Sequence, residues 1–171
     1  MKFEQLKECD LEWARLLHND PEVLNMLTDP RWVSSEQQAS WFKRLVETAS
    51  SERLVVKLDD DTKIGVIRLD HIDDSNKSMC VGLDIHEGFR GKGYAKKIYR
   101  HIFEEWFGGR GYNRLWLLVA EYNTRAINLY VDLGFVSEGV QREALYRYGK
   151  YHDYIMMSIL REEWRAKWRT K

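Results

Sequence analysis

A mixed α/β (α+β) fold is predicted by three features of this chain. A run of three strand-like segments lies in its middle. A glycine-rich turn follows the third of them and opens an amphipathic helix. A strongly apolar segment, 114–120, stands further on. At 171 residues the chain has the size of one ordinary domain, expected to span 1–171. That is long enough to bury a core without disulfide or metal staples.

The elements follow in order. Residues 2–7 read as a short strand. Asp10 is placed to cap a helix over 11–18. Asn19-Asp20-Pro21 starts another helix over 21–27, with Asp20 as N-cap and Pro21 at the first helical position. Thr28-Asp29-Pro30 breaks it, and Ser34 or Ser35 caps a helix over 35–48 bearing Trp41, Phe42 and Leu45. Strands are predicted over 53–58, 63–71 and 78–86, separated by Asp-rich turns. The helix over 94–107 carries Ile98, Ile102 and Trp106 four residues apart and stops at Gly108-Gly109. The near-continuous apolar run 114–120 points to a strand buried on both faces. A helix over 124–132 and a hairpin of strands near 135–146 and 151–160 complete the order, followed by the charged segment Glu162 to Lys167.

Composition excludes several classes. Basic and acidic residues balance at 27 each, so the general electrostatic argument for nucleic-acid binding is missing. Cys9 and Cys80 lack CxxC or paired-His spacing, so no structural zinc site is expected; buried free thiols are. The first residues contain no apolar signal core, and no apolar run approaches the length of a membrane span. The expectation is a cytoplasmic protein with no membrane partner.

The segment Arg90-Gly91-Lys92-Gly93-Tyr94-Ala95 sits between a strand and a helix. Glycines there let backbone approach an anion, and the first helical amides then face it, helped by the helix dipole. A P-loop requires Ser or Thr after its lysine, and none follows Lys92. A dinucleotide fingerprint requires a third glycine where Lys96 stands. A plain strand-to-helix turn remains open on these residues alone.

Arg90, Gly93 and Ala95 match the pattern Gln/Arg-x-x-Gly-x-Gly/Ala. About thirty residues on, Asn123, Ala126, Tyr130, Gly134 and Phe135 match Asn-x-x-Ala-x-x-x-Tyr-x-x-x-Gly-Phe. In this order and spacing the two segments resemble the GNAT superfamily of N-acetyltransferases. The tail with Glu138-Gly139, Arg142, Gly149-Lys150-Tyr151 and Asp153 is similar to the branch holding spermidine and ribosomal-protein N-terminal acetyltransferases. His18 to Phe42 resembles, more loosely, enzymes acting on amino-sugar nucleotides. The resemblance implies a single mixed, mostly antiparallel sheet with a splayed strand pair, and acetyl-CoA as donor. It implies that Arg90, Gly91, Lys92, Gly93, Tyr94 and Ala95 hold the pyrophosphate. The backbone of Leu83, Asp84 and Ile85 pairs with the pantetheine arm, and Asn123 and Ala126 adjoin it. Asn123 also reads as a simple helix cap.

The resemblance also implies Tyr130 as general acid for the departing thiolate; on periodicity alone this residue packs near Phe135. Phenol and thiol differ by about 1.5 pKa units, so the transfer is uphill by roughly 2 kcal/mol, which positioning can offset. Candidates for the base are Asp84, His86, Glu87 and Glu121. An acceptor pocket lined by Trp32, Trp41, Tyr146 and Tyr148, with Asp29 and Glu36 attracting a cation, is expected for an amine-bearing substrate: an amino sugar, a polyamine or a protein N-terminus. The stretch 28–42 holds no dense acidic cluster, which weakens the polyamine reading. A non-catalytic acyl-CoA-binding or protein-interaction module is the competing reading, and a nucleotide-binding protein a weaker one. The final hairpin and strand 114–120 are each suited to forming a homodimer.

Overall fold

In the computed structural model, which describes residues 1–168, seven strands form a mixed sheet in the order β1-β2-β3-β4-β5-β7-β6. The strands are β1 (Lys2–Gln5), β2 (Glu52–Lys57), β3 (Lys63–Asp73), β4 (Ser78–Ile85), β5 (Arg114–Ala120), β6 (Val136–Arg147) and β7 (Lys150–Leu160). The helices are α1 (Leu11–His18), α2 (Pro21–Leu24), α3 (Ser35–Val46), α4 (Tyr94–Phe103), α5 (Thr124–Leu133) and α6 (Arg161–Trp168). None of the described helices is long and apolar enough to cross a membrane. Backbone contacts sort the chain into two units, residues 1–72 with 81–95 and residues 73–80 with 96–171.

In the first unit β1, β2 and β3 pair antiparallel, with Phe3 opposite Val56 and Val55 opposite Val66. Leu6, Ala14, Leu17, Val23, Val55 and Val66 form its core, and Trp41, Phe42 and Leu45 of α3 pack against it. Local chemistry sets the helix starts. Asp20 Oδ1 accepts the Glu22 amide at 2.8 Å, with Pro21 in the first turn. Ser34 and Gln37 exchange side-chain and backbone hydrogen bonds as a capping box. Asp10 behaves differently from its sequence prediction. Its side chain makes no cap bond to α1; it accepts the Lys7 amide at 3.1 Å and pairs with Lys63 at 2.6 Å. The half-buried Lys63 ammonium outcompetes the helix amides for this buried carboxylate. Gly65 on β3 faces the β4 backbone so closely that a Cβ there would stand 2.6 Å from the Asp84 carbonyl oxygen.

In the second unit α4 buries Ile98, Tyr99, Ile102 and Phe103. A π-helical turn, Glu104–Gly109, continues it and buries both Trp106 and Phe107, which a uniform α-helical period does not place together. Phe107 stacks on Phe103 at 5.7 Å and meets Trp164 of α6 at 5.6 Å. β5 pairs with all of the facing part of β7, from Arg114↔Leu160 to Ala120↔Tyr154. Its burial alternates: Leu115, Leu117 and Val119 are buried, whereas Trp116 and Leu118 are only half covered, so the prediction of two equally buried faces is too strong. The turn Tyr148-Gly149 has both residues at positive φ (54° and 78°), the geometry that suits a two-residue hairpin. Arg114, Glu138 and Ser158 link β5, β6 and β7 through one carboxylate. Both cysteines are free, but Cys9 is exposed and Cys80 half-buried, so neither is the buried thiol expected. Cys9 lies in a single 3-10 turn, which leaves its side chain outside the core.

Two measurements test these packing statements. Gly65→Ala forces a backbone shift between β3 and β4 and is expected to cost about 1–3 kcal/mol in urea unfolding; an unchanged midpoint refutes the close approach. The Arg114 guanidinium, opposed by partial burial and helped by the Ser158 hydroxyl, holds the Glu138 carboxyl down to about 2. A carboxyl depressed in the folded state stabilises it above the ordinary value of 4.5, and that contribution is lost as pH falls toward 2. Glu138→Gln should therefore lower thermal stability at pH 7 and flatten its fall between those pH values.

Candidate functional site

β4 ends at Ile85, and the His86 amide extends the β3 pairing by bonding the Ile64 carbonyl at 2.9 Å. His86 Nδ1 then accepts the Gly88 amide at 3.3 Å and caps the short turn Glu87–Phe89. Gly91 and Gly93 follow with φ of 73° and 79°. Two left-handed residues flanking Lys92 swing the chain into α4, a path that favours glycine at both positions. A Cβ at either glycine would meet nothing within 4 Å, so the requirement is conformational and the outer side of the turn is open. Phe89 and Tyr94 meet edge to face at 5.9 Å, and Lys92 donates to the Gly88 carbonyl at 2.6 Å. The first-turn amides of α4 have no intrahelical acceptor.

Arg90 is turned inward, with a side chain only 14% exposed. Its Nε donates to the Ile85 carbonyl at 2.8 Å, and its two terminal nitrogens reach Asp20 and Glu22 at 2.6 Å each. Asp20 therefore has two duties, capping α2 with one oxygen and holding the glycine turn with the other. Burial pushes its carboxyl up, but the Glu22 amide and the Arg90 guanidinium outweigh this and hold it below its ordinary range. Sequence reasoning identified Arg90 and Asp20 separately; nothing local signals a bond across seventy positions.

Leu83, Asp84 and Ile85 are half-buried on β4. Arg68 of β3 grips Asp84 at 3.0 Å and lies over Gly82, where a Cβ would stand 2.8 Å from the guanidinium. β4 pairs in parallel with β5 only from Ser78↔Arg114 to Cys80↔Trp116. Beyond that the two strands share no register pair among the described residues.

In the second unit Asn123 caps α5, its Oδ1 accepting the Ala126 amide at 3.2 Å. Tyr130 is fixed at both ends of its side of α5. Its carbonyl accepts the amides of Gly134 and Phe135 at 3.0 and 2.9 Å, a closure made possible by Gly134 at φ 104°. Its ring packs against Tyr99 at 5.8 Å and Phe135 at 5.5 Å. The Tyr-x-x-x-Gly-Phe spacing is thus a helix-ending device that also anchors the tyrosine ring.

The proposed bases differ in availability. Asp84 is held by Arg68, His86 is used by Gly88, and Glu87 is exposed. Glu121 lies 3.0 Å from Nδ1 of His152, a residue that sequence reasoning did not single out. His152 is 6% exposed, and its Nε2 has no hydrogen-bond partner among the described residues. An Nδ1–H donated to the carboxylate leaves Nε2 as the basic nitrogen. The Tyr122 ring sits edge-on to this imidazole at 4.8 Å.

The first unit also encloses a cavity of about 690 Å³ between α1, α3 and strands β2 to β4. Trp32, Trp41 and Asp29, three of the residues expected at an acceptor pocket, line this cavity; Glu36 does not, and is hydrogen-bonded by the Ser34 hydroxyl at 2.7 Å. Tyr146 and Tyr148 are exposed on the hairpin of the second unit. No group of three or more His, Cys, Asp or Glu among the described residues is arranged to hold a metal.

Replacing Arg90 should show how much of the turn it organises. Arg90→Ala is expected to cost about 1–3 kcal/mol of stability, since it leaves two carboxylates facing each other. In a double-mutant cycle with Asp20→Ala, a coupling below about 0.5 kcal/mol would remove Arg90 from that role.

This geometry agrees with relatives of known type. The spermidine N(1)-acetyltransferase of Vibrio cholerae is 24% identical over 164 residues, covering 96% of this chain and 95% of its own. A putative ribosomal N-acetyltransferase of Bacillus subtilis is 30% identical over 108 residues, 63% of this chain and 59% of its own. The crystal structure of the Vibrio cholerae spermidine N-acetyltransferase with CoA and spermine superposes with a TM-score of 0.90 at 24% identity, covering 95% of this chain and 96% of that one. Residues 1–136 match the acetyltransferase (GNAT) domain family, so the chain belongs to that family and is an N-acetyltransferase that uses acetyl-CoA as donor.

Proposed function

We propose that the chain transfers an acetyl group to a primary amine by direct attack on the thioester, with Tyr130 as the general acid. The observation that carries this reading is the anchored Tyr130, on a helix whose cap is Asn123, combined with the open glycine turn. The residues present fit the donor. The open side of Gly91 and Gly93 and the amino-terminal end of α4 suit a pyrophosphate, with the positive helix end adding attraction. Arg90 supports the turn from behind, because its guanidinium is already occupied by Asp20 and Glu22. The backbone of Leu83, Asp84 and Ile85 has no β5 partner and offers strand-like hydrogen bonds to a pantetheine arm.

Bound acetyl-CoA supplies the thioester whose carbonyl carbon is attacked and whose sulfur departs. The protein needs no nucleophile of its own for this reaction. The Tyr130 hydroxyl gives its proton to the departing sulfur, and its ring is held against rotation by Tyr99 and Phe135. The incoming amine must lose a proton. A primary amine near pKa 10.4 is almost fully charged at neutral pH, so a proton acceptor is required. Among the four candidate bases, Glu121 is the one coupled to a buried imidazole.

Tyr130→Phe separates the acid role from a packing role, because the ring is kept. The expected result is a fall in kcat of about 10²-fold or more, with acetyl-CoA affinity within about threefold of the wild type. Thermal shift with acetyl-CoA reads the affinity; thiol release with a panel of amines reads the turnover. Unchanged turnover removes Tyr130 from the mechanism, and no stabilisation by any acyl-CoA removes the reaction itself.

A further inference from the structure

The cavity of the first unit has an unusual charge balance. Two carboxylates line it, and both are engaged. Asp29 is gripped by Arg31, whose Nε lies 2.9 Å from each carboxylate oxygen and whose Nη2 lies 2.6 Å from one. Asp84 is gripped by Arg68. A third lining arginine, Arg53, is neutralised by Asp70 at 2.9 Å and by the carbonyls of Glu52 and Leu69. Arg44, in the last turn of α3, is different. Its side chain lines the cavity and makes no ion pair or hydrogen bond with any described residue. The lining thus carries one uncompensated positive charge and no uncompensated negative one.

The neutral groups point the same way. Gln38 lines the cavity, is 8% exposed, and its amide has no side-chain hydrogen bond among the described residues. Its side-chain amide offers an N–H to an acceptor that enters the cavity. Trp32 and Trp41 are the aromatic walls, and each already has a guanidinium over its ring: Arg15 at 5.5 Å and Arg53 at 5.7 Å. A polyammonium chain entering here finds no free carboxylate, and aromatic faces that cations already occupy. An anion finds Arg44 and Gln38.

We infer that this cavity binds an amine that also carries an anionic group, a carboxylate or a phosphate, with the anion held by Arg44 and the Gln38 amide. The inference names the acceptor class for the acetyl transfer proposed above and rests on that reading for its role in turnover. Binding to the cavity is measurable without it.

The test is calorimetric titration of the full chain, with CoA present, using matched probes. Glucosamine 6-phosphate is compared with glucosamine for the phosphate arm, L-phenylalanine with phenethylamine for the carboxylate arm, and spermidine serves as the polycation. The anionic member of at least one pair should bind tenfold or more tightly than its twin, and more tightly than spermidine. The arm that discriminates identifies the anion. Arg44→Gln should reduce that preference below threefold, and Arg44→Glu should shift it toward spermidine. Arg44 is exposed on a capped helix, so these variants should fold; circular dichroism and the acetyl-CoA thermal shift check this. Spermidine binding best, no anionic amine binding, or a preference that survives Arg44→Gln each overturns the inference. If acyl-CoA neither stabilises the chain nor is cleaved while the anion preference persists, the reaction reading fails and the cavity inference stands.

Discussion

The guanidinium of Arg90 bonds the end of β4, the first turn of α2 and, through its own backbone, the glycine turn. One partly buried cation thus ties the end of β4 and the neighbouring glycine turn to a helix start about seventy residues earlier. The ladder of hydrogen bonds between strands fixes β4 as far as Ile85, and α4 fixes everything after Tyr94. Between them the chain crosses two left-handed glycines that impose almost no path of their own. Without a restraint the turn would sample many conformations, and its amides would converge on an anion only after an entropic cost. Arg90 removes that cost in advance. The same bonds neutralise its charge, so attraction for phosphate falls to the helix end, the backbone amides and Lys92. Zero net charge over the chain is therefore compatible with the anion site proposed at this turn, which would be made largely of backbone.

What the sequence disclosed follows from the range of the forces involved. Asp20 with Pro21, Ser34 with Gln37, Asn123, and Gly134 are local devices, completed within a few residues, and each works as its spacing implies. Asp10 had the right spacing for a cap and does something else, because Lys63 arrives from β3 to claim it. Arg90 with Asp20, and Glu121 with His152, are bonds across long separations; no pattern in one sequence announces them. The strand 114–120 shows a related limit. Its apolar run sets the burial of Leu115, Leu117 and Val119, but the partial cover of Trp116 and Leu118 depends on what packs there. The glycine turn lay between these cases: its shape was local, and its meaning required the second motif downstream.

The acceptor cavity shows why composition alone misdirects about charge. Asp29 was expected to attract a cation, and in isolation it would. Its neighbour two residues on, Arg31, takes both of its oxygens. What a ligand meets is the charge left after internal pairing, because a paired carboxylate must break its bonds before it can serve another cation. Counted in that way, the lining is cationic by the single guanidinium of Arg44.

On the reading proposed above, donor and acceptor are recognised by different parts of the chemistry, with different tolerance for substitution. The donor site is built from glycine φ angles, strand backbone groups, helix-end amides and one anchored phenol. Backbone groups are present whatever the side chain, so such a site survives wide sequence change provided a few turns and caps persist. The acceptor cavity is built from side chains: two tryptophans, several arginines, a glutamine. One substitution there alters its charge without disturbing a strand or a helix. A chain 24% identical to a spermidine acetyltransferase can therefore share its fold while the side chains of such a cavity vary independently.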